Sequence, residues 1–187
     1  DPAPAKDAAT IAVVRAGQRG LEVFLMRRQA SMAFAAGMYV FPGGGVHEAD
    51  ADPLPWFGPD AAYFAARFGC SLEAARALVV AAARETFEET GVLIAGPDEY
   101  SVVSDVTPYH DARLALERHE LSFGEFLRAN GLALRADLLG AWAHWITPGF
   151  EPRRFDTRFF VAMLPAGQRI DTVSDEADAS EWVDRKS

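Results

Sequence analysis

The segment Arg84-Glu85-Thr86-Phe87-Glu88-Glu89-Thr90-Gly91-Val92 gathers four chargeable side chains within nine residues. On a helix advancing about 100° per residue, with Glu85 at the origin, Glu88 falls near 300° and Glu89 near 40°. The three carboxylates therefore share an arc of about 100°. They sit in the last turns of the helix, where the macrodipole opposes each anion by ~0.3–1 kcal/mol. Glu85 and Glu89 add an i,i+4 like-charge pair that costs a few tenths more. Arg84, four residues before Glu88, offsets part of this in the less favourable order for a helical ion pair. Stability alone does not account for such a helix end, whereas a divalent ion does. Magnesium is hard, takes oxygen ligands, and commonly bridges one or two carboxylates to substrate phosphates. The competing interpretation is a solvated acidic helix end.

The elements that must position these acids are readable around them. Ser71 is a fitting N-cap, with Leu72-Glu73-Ala74 opening an Ala-rich helix that runs to about Thr90. Gly91 is a natural stop. Upstream, Met38 to Phe41 is a short apolar strand ended by Pro42, and Gly43-Gly44-Gly45 marks a sharp backbone turn without side-chain bulk. Thr10 to Arg15 and Leu21 to Arg28 are β-rich runs joined by a glycine-containing connection. Asp60 to Phe68, Asp111 to Glu120 and Phe123 to Asn130 have the pattern of shorter helices. Leu138 to Ile146, Phe155 to Leu164 and Glu181 to Val183 have that of strands. Residues 1–9 are Pro/Ala-rich and predict a flexible lead-in. The mixture predicts one α+β domain over residues 1–187, an α/β/α sandwich around a mixed central sheet.

Eighteen Lys plus Arg against 27 Asp plus Glu give a formal charge of −9 over 187 residues. That balance argues against a nucleic-acid polymer as partner, because such affinity rests on neutralising many phosphates. The apolar run Ala77 to Ala83, bounded by Arg76 and Arg84, is far short of the ~20 residues that cross a bilayer, so no membrane association is expected. A single cysteine, Cys70, excludes an internal disulfide and points to a reducing compartment, most simply the cytoplasm.

Together, Pro42-Gly43-Gly44 and Arg84 to Val92 resemble the two halves of the Nudix box, GX5EX7REUXEEXGU. Arg84, Glu85, Glu88, Glu89, Gly91 and Val92 match the second half, with Thr86 standing at a usually apolar position. In the first half, Gly44 leads to Asp50 where the pattern has Glu. Residues 51–83 then separate Asp50 from Arg84, where the ordinary box has seven residues. The resemblance is therefore to a split box carrying an insertion, approximately residues 51–76. This is similar to the Nudix branch that includes a peroxisomal coenzyme A diphosphatase. Trp145-Ile146-Thr147-Pro148 and Arg153-Arg154-Phe155-Asp156-Thr157-Arg158 also look like that branch.

The resemblance implies a hydrolase that cleaves a diphosphate linkage in a small-molecule nucleoside diphosphate derivative, coenzyme A or an acyl-CoA among them, with Mg2+ or Mn2+ as cofactor. The alternative it leaves is a Nudix-fold module that binds a nucleotide metabolite without cleaving it. By carry-over, Glu88 and Glu89 hold metal, Glu85 holds metal or orients water, and Arg84 holds the glutamates in place. Gly43, Gly44 and Gly45 let backbone approach the phosphates. Asp50 or Glu48 stands in for the first box acid, and Glu176 supplies a metal ligand from a loop outside the box. Arg27 and Arg28 are either phosphate contacts or a solvated strand end, and Arg153 and Arg154, with Arg154 preferred, are either substrate phosphate contacts or structural ion pairs. His47, beside the glycine turn, is a candidate base or a loop histidine, whereas His110, His119 and His144 read as structural. Trp56, Phe57, Tyr63, Phe64 and Phe68 make the insertion a small lid or the surface of a homodimer.

Overall fold

Ser71 caps the helix α2 (Leu72–Thr90): its side-chain oxygen accepts the Ala74 N–H at 3.1 Å. Gly91 ends that helix in the left-handed region at φ 73°, a conformation that a Cβ would strain. The computed structural model describes residues 3–29, 37–171 and 177–184. Glu176 lies outside the described residues.

Beneath α2 runs a mixed seven-stranded sheet. Its strands are β1 (Lys6–Gly17), β2 (Gly20–Arg28), β3 (Tyr39–Val40), β4 (Gly43–Gly45), β8 (Gly140–Ile146), β9 (Phe155–Met163) and β10 (Ala177–Asp184). The order is β10-β2-β1-β9-β8, with β3 beside β2 and β4 beside β1. β1 and β9 are parallel, from Lys6 opposite Phe155 to Val14 opposite Met163. This long-range pairing corrects the flexible lead-in: residues 6–9 are strand, because their backbone groups are taken up by β9 and β4 whatever their Ala-rich composition suggests. The glycine turn is corrected likewise. Gly43 to Gly45 form a three-residue strand antiparallel to Ala8–Thr10.

A second, three-stranded sheet was not visible in the sequence. It joins β5 (Trp56–Phe57), β6 (Ala95–Gly96) and β7 (Ala133–Arg135), each too short to show a period of two. Helix α1 (Ala61–Phe68) begins at Asp60, whose side chain accepts the Tyr63 N–H, and ends at left-handed Gly69. Its Phe64 and Phe68 are buried and pack on Phe160 of β9, with ring centroids 6.0 and 5.1 Å away. The insertion is thus part of the core, in place of the lid or dimer surface expected from its aromatic content; Tyr63 alone of the α1 aromatics stays exposed.

Helices α3 (His110–Glu117) and α4 (Phe123–Ala129) complete the fold. Phe126 of α4 stacks on Phe87 of α2 at 5.3 Å. Leu78, Val79, Ala82, Ala83 and Phe87 bury the helix that carries the acids. Burying an aliphatic or phenyl side chain of this kind stabilises by roughly 1.5–3 kcal/mol, so the helix end is held on a stiff support. Among the described residues, no helix is long and apolar enough to cross a membrane.

Candidate metal and diphosphate site

The acidic end of α2 faces the glycine strand β4. Gly43 donates its backbone N–H to Glu89 Oε2 at 2.7 Å. A Cβ on Gly44 would stand 2.5 Å from Glu85 Oε1, so the absence of a side chain there is what lets strand and carboxylate approach. Arg84 is the hub. Its guanidinium donates to Asp50 Oδ1 and Oδ2 at 2.9 and 3.0 Å, to Glu85 Oε1 at 2.8 Å, to Glu88 Oε2 at 3.1 Å and to the Gly45 carbonyl at 3.0 Å. Arg84 and Asp50 are both almost fully buried. Burial alone would lower the Arg84 guanidinium, but its hydrogen bonds to Asp50 and the charges of Glu85, Asp50 and Glu88 hold it above its usual range.

Asp50 therefore belongs to the framework that fixes Arg84; its carboxylate also accepts the His47 N–H at 2.8 Å. Glu48, the other sequence candidate, is exposed in the single-turn helix Glu48–Ala51. The departure at Thr86 is likewise resolved. Its side chain is fully buried, and its hydroxyl donates to the Ala82 carbonyl at 2.8 Å. The like-charged helix end has an offset that sequence spacing could not show. Buried Arg113 of α3 donates Nε–H to the Glu88 carbonyl at 2.8 Å, a cation at the negative pole of α2.

Glu88 is the least satisfied of the acids. Oε2 is taken by Arg84, but Oε1 is buried with no hydrogen-bond partner. Burial pushes its carboxyl up, the Arg84 charge only partly opposing, to about 7. An orphaned buried carboxylate oxygen is costly, and an oxygen-seeking divalent cation is the partner that removes the cost. Among the described residues, no three His, Cys, Asp or Glu side chains are drawn together as a ready-made coordination shell. Glu85 and Glu89 instead rest on the Arg84 and Gly43 donors, from which a carboxylate turns by rotation about its own side-chain bonds.

These groups line a cavity of about 590 Å³ with Gly43, Gly44, Gly45, Arg28, Arg153, His47 and His119. Arg28, at the end of β2, faces it with a buried Nε that has no hydrogen-bond partner. Arg27, its neighbour on the strand, is not among the lining residues, as alternation along a strand requires. Arg154 has the structural surroundings that were the alternative for it. Its Nε–H and Nη1–H donate to the carbonyls of Thr147 and Ala3 at 3.0 and 2.6 Å, which ties the β8–β9 connection to the start of the chain. Arg153, the other candidate of the pair, lines the cavity.

No family model matches the chain. A Nudix hydrolase of known crystal structure from Alicyclobacillus acidocaldarius is 30% identical and superposes with a TM-score of 0.76, over 96% of this chain and 78% of that one. An acyl-coenzyme A diphosphatase from Xenopus laevis is 26% identical over 86% of this chain and 52% of its own. A putative nudix hydrolase from Caenorhabditis elegans is 27% identical over 88% and 47%. The chain spans about half the length of these two curated relatives. With the identity and coverage shared with the Alicyclobacillus protein, and with Arg84, Glu85, Glu88 and Glu89 gathered against a glycine strand, this chain belongs to the Nudix hydrolase family.

Proposed function

We propose that this chain is a metal-dependent diphosphohydrolase that adds water across one P–O bond of a nucleoside diphosphate derivative, releasing two phosphomonoesters. The observation that carries this reading is Glu88: a buried carboxylate with one oxygen unpartnered, at the cavity and beside Glu85 and Glu89. Three carboxyl groups on one helix face, once a cation has displaced any proton from Glu88, are acceptors only, the donor set that suits Mg2+ or Mn2+. A bound ion of this kind neutralises phosphoryl oxygens and makes an attacking water more acidic.

The chain's own residues do the rest. Arg84 fixes the direction of Glu88 from a buried anchor on Asp50, so that side chain need not reorganise as charge develops. The Gly43–Gly45 backbone leaves room for a phosphate against the acids. Arg28 and Arg153 place two guanidinium groups on the cavity wall, where they receive phosphate charge that the acids do not attract. Coenzyme A or an acyl-CoA is the proposed substrate class, supported by the name of the Xenopus relative. Residues 1–187 are proposed to act as one domain, with 51–76 serving the core.

The test is a panel of diphosphates with magnesium, including coenzyme A, acyl-CoA, ADP-ribose, NADH and a dinucleoside polyphosphate, with identification of products. Cleavage to two monophosphates that stops in excess chelator is expected. Glu88→Gln and Glu89→Gln are each expected to lower kcat by at least ~100-fold with the fold retained. Tight binding of one compound without turnover of any would make the chain a binding module instead.

A further inference from the structure

His119 stands where a helix exit is built for glycine. The chain leaves α3 through two reversed hydrogen bonds, His119 N–H to the Leu116 carbonyl and Glu120 N–H to the Ala115 carbonyl, both 2.9 Å. This is the Schellman pattern, with His119 at the left-handed position. Its φ of 58° makes it the one non-glycine residue with positive φ among the described residues. A side chain at such a position is a cost to the fold. The core does not offset it, since His119 is exposed.

What the imidazole meets is the cavity. His119 lines it with Glu85, Glu88 and Glu89, and its ring stands edge to face on His47, centroids 4.8 Å apart and planes at 76°. His47 is tied by its N–H to Asp50, the same carboxylate that holds Arg84. The backbone that carries the His47 ring is thus fixed to the frame that directs the glutamates. The two rings also line an adjoining cavity of about 470 Å³ with Glu88, Leu116 and Leu121, so they stand where the two spaces meet.

We propose that His119 is a substrate-binding residue that donates an imidazole N–H to a phosphate oxygen of the diphosphate group. The proposal rests on the hydrolase reading given above. The chemistry of the wall favours imidazole there. A Lys or Arg at the same place would carry a fixed charge and pair with Glu88 or Glu117, which line the same cavity. An imidazole offers its N–H to a phosphate oxygen without a fixed charge on the wall.

The test compares His119→Gly and His119→Asn with the wild type, using coenzyme A and magnesium for kinetics and urea for stability. Glycine fits the backbone and removes the donor; asparagine tolerates the left-handed position and keeps an N–H. The Gly variant is expected to unfold at a urea concentration no lower than the wild type, while its kcat/KM falls about 10–100-fold, mainly through KM. The Asn variant is expected to recover part of that loss. A Gly variant with wild-type kcat and KM overturns the inference and leaves the hydrolase reading intact. A Gly variant of lower stability shows that the imidazole serves the fold, and overturns it as well. A wild type that cleaves no diphosphate removes the reading and this inference together.

Discussion

Arg84 and Asp50 meet in a two-pronged pair, Nε to Oδ1 at 2.9 Å and Nη2 to Oδ2 at 3.0 Å, across 34 residues of sequence and almost wholly out of water. The pair welds the glycine side of the site to the helix that carries the acids. Removing one partner of a buried pair leaves the other charge stranded, at a cost of about 3–5 kcal/mol. Asp50→Asn is expected near the lower end, because Arg84 keeps the Gly45 carbonyl, Glu85 and Glu88 as acceptors. Urea denaturation measures the loss. A variant as stable as the wild type would show that those remaining acceptors hold Arg84 unaided.

The Glu88 carboxyl titrates at about 7 in the folded chain, against an ordinary value of 4.5. The folded state therefore holds this proton more tightly than the unfolded one. Below pH 4.5 both states are protonated and there is no penalty. Between pH 4.5 and 7 the unfolded carboxyl ionises first, and stability falls as pH rises, by about 3 kcal/mol in all. Urea midpoints measured in chelator are expected to drop from pH 5 to 7.5 in the wild type and to stay flatter in Glu88→Gln. Magnesium should release a proton on binding below pH 7, visible as a buffer-dependent heat. A pH-independent midpoint in the wild type would place the Glu88 carboxyl in water.

Gly43 and Gly44 separate structure from chemistry in adjacent positions. A Cβ on Gly43 would lie 2.4 Å from the Ala9 carbonyl oxygen, a backbone atom that cannot yield without breaking the β1–β4 pairing. The atoms nearest a Cβ on Gly44 are those at the end of the flexible Glu85 side chain. Gly43→Ala is expected to cost about 2 kcal/mol or more as overpacking. Gly44→Ala is expected to keep its melting temperature within a few degrees and to lose about tenfold or more in kcat, because Glu85 is displaced. Equal losses of stability in both variants would contradict this division.

How much was legible follows from how local each determinant is. The Ser71 cap, the Gly91 stop and the shared arc of Glu85, Glu88 and Glu89 depend on neighbours within a turn or two, and the structure shows the helix from Leu72 to Thr90 as read. The duty of Asp50 was not legible, since its partner arrives from beyond the insertion. Arg153 and Arg154 are adjacent in a connection between strands, where no period says which of two neighbours faces a cavity. The cation at the foot of α2 comes from Arg113, whose contact with the Glu88 carbonyl spans 25 residues. The strands of two or three residues in the small sheet carry too few positions for any pattern.

The burial of Phe64 and Phe68 against Phe160 has a practical consequence for anyone wishing to shorten this protein to an uninterrupted box. Residues 51–76 cannot be excised like a decorative loop, because taking away α1 would expose Phe160 on β9, the strand that pairs with β1. A trimmed version would need new apolar side chains on β9 and α2 before it could be asked about catalysis at all.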